Sequence, residues 1–580
     1  MTTPVPADPA PALLRAATRH SGARCAALAL AALAATGANL LLPAALGRAL
    51  DLLLAGAADA TRWVLWCAAL VLLLAVLDAF DTVLDGTTTA RTTAWLRRRL
   101  TGHVLGVGPR AVGRFGSGDL VARIVGVAAQ AGTAPATLAA LFAGLAGPVG
   151  AVVALGLISP WPAAVLLGGA PVLALSLRVL ARDSSGCAER YQQVQGRMAS
   201  ALSEAIEGHR TIAAAGTADR TVARILRPLP ELSGAGHRMW RVQGRAAAQA
   251  AAVAPLLQVG VLAVAGFLLA RQRLTVGELL AASRYAVLAA GIGVLVGQLS
   301  GLVQARAAAR RLDEVLAEPA TPYGVRHLPS GQGRLELRGI TVRRGGRTVL
   351  DGVDLVVPAG TTLAVVGRSG TGKSLLAAVT GRLTDPDEGE VRLDGVPLTE
   401  LDRGALRRAI AYAFERPALL GESVEDTIAF GVPRPDRARV REAALAARAD
   451  AFVRRLPDGY ATPVTDAPLS GGEAQRLGLA RAFARDSRVL ILDDALSSLD
   501  TITEQHISEA LLHHTSGRTR LLVAHRASTA SRADAVAWLD GGQVRAVGPH
   551  SELWQLAGYR EVFGARPEGD VRARSYGGQG

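Results

Sequence analysis

The run Gly367-Arg368-Ser369-Gly370-Thr371-Gly372-Lys373-Ser374 fits the phosphate-binding pattern G-x-x-x-x-G-K-[ST]. Glycines let successive backbone N–H groups curl around an anion, and the helix that opens there adds its positive end. An ammonium at the lysine position reaches the β- and γ-phosphates, and the hydroxyl after it ligates Mg²⁺. The context is right, with an apolar strand from Leu363 to Val366 before the loop and an apolar helix start from Leu375 to Val379 after it. Of the 63 basic residues, Lys373 is the one lysine. A chain that uses arginine everywhere else keeps a compact ammonium where a planar guanidinium would not fit between phosphate oxygens. A second run, Val489-Leu490-Ile491-Leu492-Asp493-Asp494, reads as a buried strand ending in two carboxylates. The C-terminal edge of such strands is where α/β folds bind ligands, and Asp493 is the expected Mg²⁺ partner. Between the two runs lies Leu469-Ser470-Gly471-Gly472-Glu473. A serine and two glycines opening a helix offer an anion another N-terminus, although taken alone this stretch reads better as an ordinary N-cap.

These residues need an α/β domain to hold them. After Arg334 short β-rich runs alternate with helical stretches, and residues 313–332, rich in Pro and Gly, read as a linker. The rest of the chain is different. With 580 residues, 50% hydrophobic, 19% charged and 4% aromatic, it is too apolar for an ordinary soluble enzyme. Residues 25–46 are uncharged and long enough to span a bilayer, and 63–77 reach that length if Asp78 sits at an interface. Residues 132–177 carry no charge and make two spans around a turn at Ser159-Pro160-Trp161-Pro162. Residues 246–270 and about 279–303 complete six.

Arginine crowds the segments 85–131 and 182–245, while the other connections carry few, among them Arg48, Arg62, Arg271 and Arg273. The long connections and both termini are therefore expected in the cytosol. Their helical character suggests that spans two to five continue beyond the bilayer. This placement accounts for the net charge of +14 without nucleic acid. Cys25, Cys67 and Cys187 lie far apart and form neither a metal spacing nor a disulfide framework. No signal-peptide cleavage pattern precedes the first apolar run. The expected organisation is an N-terminal cytoplasmic segment 1–22, a six-helix membrane domain 23–312, the linker 313–332, a nucleotide-binding domain 333–565 and a disordered tail 566–580.

Taken together, the phosphate loop, the Leu469–Glu473 signature and the aliphatic strand ending in Asp493 resemble the ATP-binding cassette exporter family in order and approximate spacing. The resemblance covers nearly the whole chain. Ser497-Ser498-Leu499-Asp500 matches that family's D-loop, His525 its switch histidine, and Leu456-Pro457-Asp458-Gly459-Tyr460 a stretch that precedes the signature. In the membrane half, Gly118-Asp119-Leu120 with Arg123, and Glu204 with Gly208, resemble its cytoplasmic-loop patterns. The resemblance implies an all-α membrane domain followed by an α/β phosphate-loop ATPase domain. It implies ATP and Mg²⁺ as cofactors, and two cassettes that sandwich two ATP molecules. One chain's phosphate loop then faces the other chain's Ser470, Gly471, Gly472 and Glu473, so the partner is a second half-transporter.

Three positions depart from the family. Asp494 stands where a glutamate normally polarises the attacking water, and its carboxylate is one methylene short of that reach. Glu415 falls on the glutamine that normally meets the metal. Arg344 falls near the aromatic that normally stacks on adenine, and its flat guanidinium can still stack. All three face the chain's own nucleotide, while the signature that serves the partner keeps Ser470, Gly471 and Gly472. That division resembles heterodimeric exporters with one slow site. A homodimer that tolerates aspartate, a membrane-anchored mechanical ATPase and a mainly ATP-binding regulatory subunit are the competing expectations. Six spans exceed what an anchor needs. The cargo, whether small molecule, peptide or lipid-like, is not readable, and no cysteine-peptidase domain precedes the first span. Asn39, Gln258, Arg284 and Gln298 are the polar residues noted within spans, and a charge there is a functional candidate. The expected location is a bacterial plasma membrane.

Overall fold

The computed structural model describes residues 10–564 apart from 291–292, 432, 498–500 and 515–516. The tail expected over 566–580, and Ser498, Leu499 and Asp500 of the D-loop pattern, lie outside the described residues. The chain divides into two compact units, residues 1–107 with 111–319, and residues 108–110 with 320–580.

In the first unit a short helix, Ala10–His20, leads into α1 (Gly22–Leu54), α2 (Ala60–Val107), α3 (Ala134–Ile158), α4 (Pro160–Glu207), α5 (Leu229–Ala270), α6 (Val276–Ala290) and α7 (Gly293–Leu316). Among the described residues, Gly22–Leu54, Ala60–Val107 and Ser117–Ile158 are apolar and long enough to cross a bilayer. The turn expected at Ser159 is there: its backbone is extended, at φ −161°, and Pro160 opens α4, where its missing N–H costs nothing. The sixth expected span, 279–303, falls on α6 and α7, with residues 291–292 between them undescribed.

Helix α2 has 48 residues, about 72 Å at 1.5 Å per residue, against a hydrocarbon core of about 30 Å. The 48-residue α4 and 42-residue α5 likewise outrun any bilayer. Helices α1 and α6 meet backbone to backbone, since a Cβ on Gly47 would collide with the carbonyl of Gly277. Asp51 of α1 fixes this contact, accepting hydrogen bonds from Thr275 Oγ1 and the Gly277 N–H, each at 2.7 Å.

The Gly118-Asp119-Leu120 pattern lies on a short helix, Ser117–Ala122, and Arg123 opens a π-helical turn, Arg123–Val127. Arg123 is nearly buried, and it pairs with Asp119 at 2.7 Å and with Glu314 at 2.8 Å. Leu96, Leu100, Leu120 and Leu312 pack beside them. Glu204 meets Arg224 at 3.4 Å.

The linker expected over 313–332 is partly helix, because α7 runs on to Leu316 with Leu312 and Val315 buried. The stretch after it is strapped down. Tyr323 and Leu328 pack on the second unit's core, the Arg382 guanidinium lies 4.9 Å from the Tyr323 ring centre, and Arg382 donates to the Pro322 carbonyl.

The second unit holds two sheets. Strands β1 (Leu335–Arg344), β2 (Arg347–Val357), β4 (Glu388–Leu393) and β5 (Val396–Pro397) form an antiparallel sheet in the order β2-β1-β4-β5. Strands β3 (Thr362–Val366), β6 (Ile410–Phe414), β7 (Val489–Asp493), β8 (Thr519–Val523), β9 (Ala535–Asp540) and β10 (Gln543–Gly548) form the other, in the order β10-β9-β3-β8-β7-β6. Neighbours from β9 to β6 are parallel, and only β10 runs against them. β3 and β8 are buried at every position and β7 at all but its last, as parallel strands covered on both faces require.

Candidate nucleotide-binding site

The strand order brings scattered motifs to one edge. β3, β8, β7 and β6 are adjacent and parallel, so the segments after their C-terminal ends lie side by side. Those segments are the Gly367–Gly372 loop, His525, the Asp493-Asp494 pair and Glu415. Residues more than a hundred positions apart thus share the crevice where α/β sheets bind ligands.

The loop leads into α8 (Lys373–Thr380). Gly372 takes φ 100°, a conformation that a side chain would strain. At Gly367 a Cβ would collide with the Leu539 carbonyl. These glycines keep the backbone close enough to curl its N–H groups around a phosphate. Lys373 is 6% exposed and donates to the carbonyls of Gly367 at 2.9 Å and Arg368 at 3.0 Å. Burial pushes its pKa down, while the charges of Asp494 and Asp493 hold it up. The ammonium is thus folded back over its own loop. Arg368 pairs with Glu561 of the helix Ala557–Val562 at 2.7 Å. Thr371 Oγ1 donates to the Arg368 carbonyl, closing the turn that contains Ser369 and Gly370.

Asp493 ends β7. Burial pushes its carboxyl up; the Ser374 hydroxyl opposes this, the Asp494 and Glu415 carboxylates add to it, and His525 works against it. Its Oδ1 is buried without a hydrogen-bond partner. A buried carboxylate oxygen lacking a donor, beside a hydroxyl and two further carboxylates, fits a divalent cation. Ser374 and Asp493 would hold Mg²⁺, with Glu415 within electrostatic reach. When bound, the ion supplies charge neutralisation to the phosphate oxygens.

Asp494 adopts φ 51°, the left-handed region, where Asp is among the tolerated non-glycine residues. The turn is pinned from both sides: its carbonyl accepts from Gln475 Nε2 at 3.1 Å and from Ser497 Oγ at 2.9 Å. Its Oδ1 lies 2.8 Å from His525 Nε2. Glu415, by contrast, is half exposed, with the Arg416 guanidinium 4.0 Å away.

Gln475 escaped the sequence reading. It is 1% exposed on α9 (Gly471–Ala484) and donates also to the Glu415 carbonyl at 3.4 Å, tying together the loops after β6 and β7. Its sole sequence signal is a polar residue at a core position of that helix.

The remaining expected residues lie apart. Ser470 caps α9 through a capping box with Glu473, and the Ser470 backbone N–H holds the Glu473 carboxyl below its usual range. Ser470 and Gly471 are exposed. Among the described residues no hydrogen bond or ion pair joins Ser470–Glu473 to the phosphate loop, nor Arg344, whose guanidinium donates to Thr384 Oγ1 at 2.8 Å.

The arrangement has known counterparts. Residues 26–290 match the family described as ABC transporter transmembrane region, and residues 350–497 match the family described as ABC transporter. The chain is 52% identical over 537 residues to the ABC transporter ATP-binding protein RamA of Streptomyces coelicolor, covering 92% of this chain and 84% of that one. It is 30% identical over 479 residues to the ATP-dependent lipid A-core flippase of Escherichia coli K12, covering 80% and 81%. Its fold superposes on a bacterial Atm1-family ABC exporter solved with ATP bound, at a TM-score of 0.82 and 24% identity, over 94% of this chain and 98% of that one. The fused membrane region, the strand order around the phosphate loop and these matches agree: the chain belongs to the ABC transporter family, as an exporter-type membrane region followed by an ATP-hydrolysing cassette.

Proposed function

We propose that this chain is one half of a heterodimeric exporter and carries the slower of two ATP sites. It moves a small molecule, peptide or lipid-like cargo across a bacterial plasma membrane. The bacterial relatives and the apolar helices support that location. Lys373 and the loop N–H groups bind the phosphates of ATP, Ser374 and Asp493 hold Mg²⁺, and Ser470 to Glu473 complete the site on the partner chain.

The observation that carries the reading is the short contact between Asp494 and His525. An aspartate is one methylene shorter than the glutamate expected of a general base, and here its carboxylate rests on the histidine. General-base action needs hydrogen-bond reach to the attacking water, and this shorter side chain, lying against the histidine, has further to reach. Losing a general base costs about 100- to 10,000-fold, and a shortened one less.

Phosphate release by the purified single chain, compared with its Asp494→Glu variant and with a partner half-transporter added in parallel, tests this. Slow release by the chain alone, faster in the variant and faster still with the partner, is expected. A wild-type chain that turns over alone as fast as the mixture would mean a homodimeric exporter.

A further inference from the structure

The helix α10 (Thr501–His514) lies in sequence between β7 and β8, two parallel neighbours of the sheet. Its residues Ile507, Ser508 and Leu511 are buried, and Glu504 precedes them at helical spacing on the same stripe. Glu504 is 6% exposed. A carboxylate at such a core position is costly unless it is paired, and here both oxygens are. Oε2 accepts from the Arg526 guanidinium, and Oε1 accepts from the hydroxyl of Thr529, which is itself buried.

These two donors sit just past His525. On the near side of the histidine, the Ala524 N–H donates to the Val365 carbonyl of β3 at 3.0 Å. On the far side, Arg526 precedes the short helix Ala527–Ala530, which contains Thr529. The histidine is thus held between a tie to β3 and a double tie to α10. Its own side chain is half exposed and meets Asp494 Oδ1 at 2.8 Å. The segments that leave β7 and β8 are therefore joined twice, once through Asp494 and His525 and once through Glu504. Well-packed apolar residues often stabilise a core as well as a buried ion pair does, so stability alone does not call for a carboxylate here. A carboxylate supplies two acceptors, and the rigid α10 aims them at two donors on the segment that carries His525.

We propose that Glu504 is a positioning residue for ATP hydrolysis: through Arg526 and Thr529 it sets where the His525 imidazole stands beside Asp494. It acts through the histidine and not on the nucleotide. This role depends on the assignment of His525 to the nucleotide site and not on the asymmetry of the two ATP sites.

The full chain in nanodiscs is measured in two ways. In phosphate release against ATP concentration, Glu504→Gln should lower kcat about tenfold while the KM for ATP moves less than about twofold, because the phosphate loop is untouched. In a His525→Ala background the same change should cost less than about twofold, because coupled residues are not additive. Arg526→Met breaks the link from its half-exposed end and should repeat both results, so the test holds even where Glu504→Gln does not fold. Without nucleotide, carbethoxylation of His525 by diethyl pyrocarbonate, read by peptide mass, should become severalfold faster in either variant. His550, packed against Trp554 and Tyr559, should keep its wild-type rate. An unchanged kcat per folded chain overturns the proposal. So do an equal loss in the His525→Ala background, a KM that rises as kcat falls, and an unchanged rate at His525. Faster reaction at both histidines means a cassette loosened throughout and also overturns it. A chain that hydrolyses no ATP in any form, yet releases His525 alone in the variants, counts against hydrolysis by this chain and not against the placement of the histidine by Glu504.

Discussion

A lysine in a chain of arginines is informative because the two cations differ in shape more than in charge. Lys373 is folded onto the carbonyls of Gly367 and Arg368 in a space that burial has already narrowed. An arginine there must place a planar fork where a single nitrogen now sits. Lys373→Arg should weaken binding of labelled ATP to the full chain by about tenfold or more, with thermal unfolding little changed, since a cation stays in the loop. Unchanged affinity would show that any cation serves. Asp494 has the opposite character: its identity is legible, while its left-handed backbone and its rest on His525 are products of the turn that holds it.

The element that connects these residues is α9. Its first turn presents Ser470 and Gly471 outward, and its second sends Gln475 inward to the carbonyls of Asp494 and Glu415. The helix that opens with Ser470–Glu473 is thus bonded to the loops that carry Asp494 and Glu415. Gln475→Leu removes the donor; the Asp494 carbonyl keeps Ser497, while the Glu415 carbonyl loses its bond, at a cost of about 1–3 kcal/mol if it stays buried. If Gln475 positions the site, turnover should fall about tenfold while the KM for ATP moves less than about twofold, because the phosphate loop is untouched. A proportional loss in folded protein, with normal turnover per folded chain, would reduce Gln475 to a core residue. Gln475→Glu, which keeps shape but replaces the donor, should resemble the leucine variant.

At the scale of the whole molecule the two faces of the cassette serve different sites. On the proposed reading, Asp494, Glu415 and Arg344 serve the chain's own nucleotide, while the signature keeps Ser470, Gly471 and Gly472, with Ser470 and Gly471 exposed. In the paired complex, Ser470→Arg should therefore depress ATPase activity more than Asp494→Asn does. On the proposed asymmetry, the first blocks the site with the better base and the second removes a base that is already poor. Steady-state phosphate release from the two variant complexes decides it, and greater damage from Asp494→Asn would reverse the assignment. The same scale shows why the acids of α2 were passed over. An uncharged window of 63–77 suggests a span that stops at Asp78, whereas the helix continues without a break to Val107 and carries Asp78 and Asp81 into a cavity shared with α1, α3 and α7.

The phosphate loop, the strand ending in Asp493 and the turn at Ser159 are legible along the chain because their chemistry is local. Consecutive N–H groups make the anion site, consecutive aliphatics make the buried strand, and a serine followed by prolines ends one helix and opens the next. What tertiary structure alone decides is which distant groups meet. The parallel order β3-β8-β7-β6 sets Lys373, His525, Asp494 and Glu415 at one edge, although their separations in sequence carry no periodicity. Gln475 bridges two loops, and Gln298 and Asp81 line one cavity, because neighbouring strands and helices were packed by apolar residues that encode no pairing of their own polar ones.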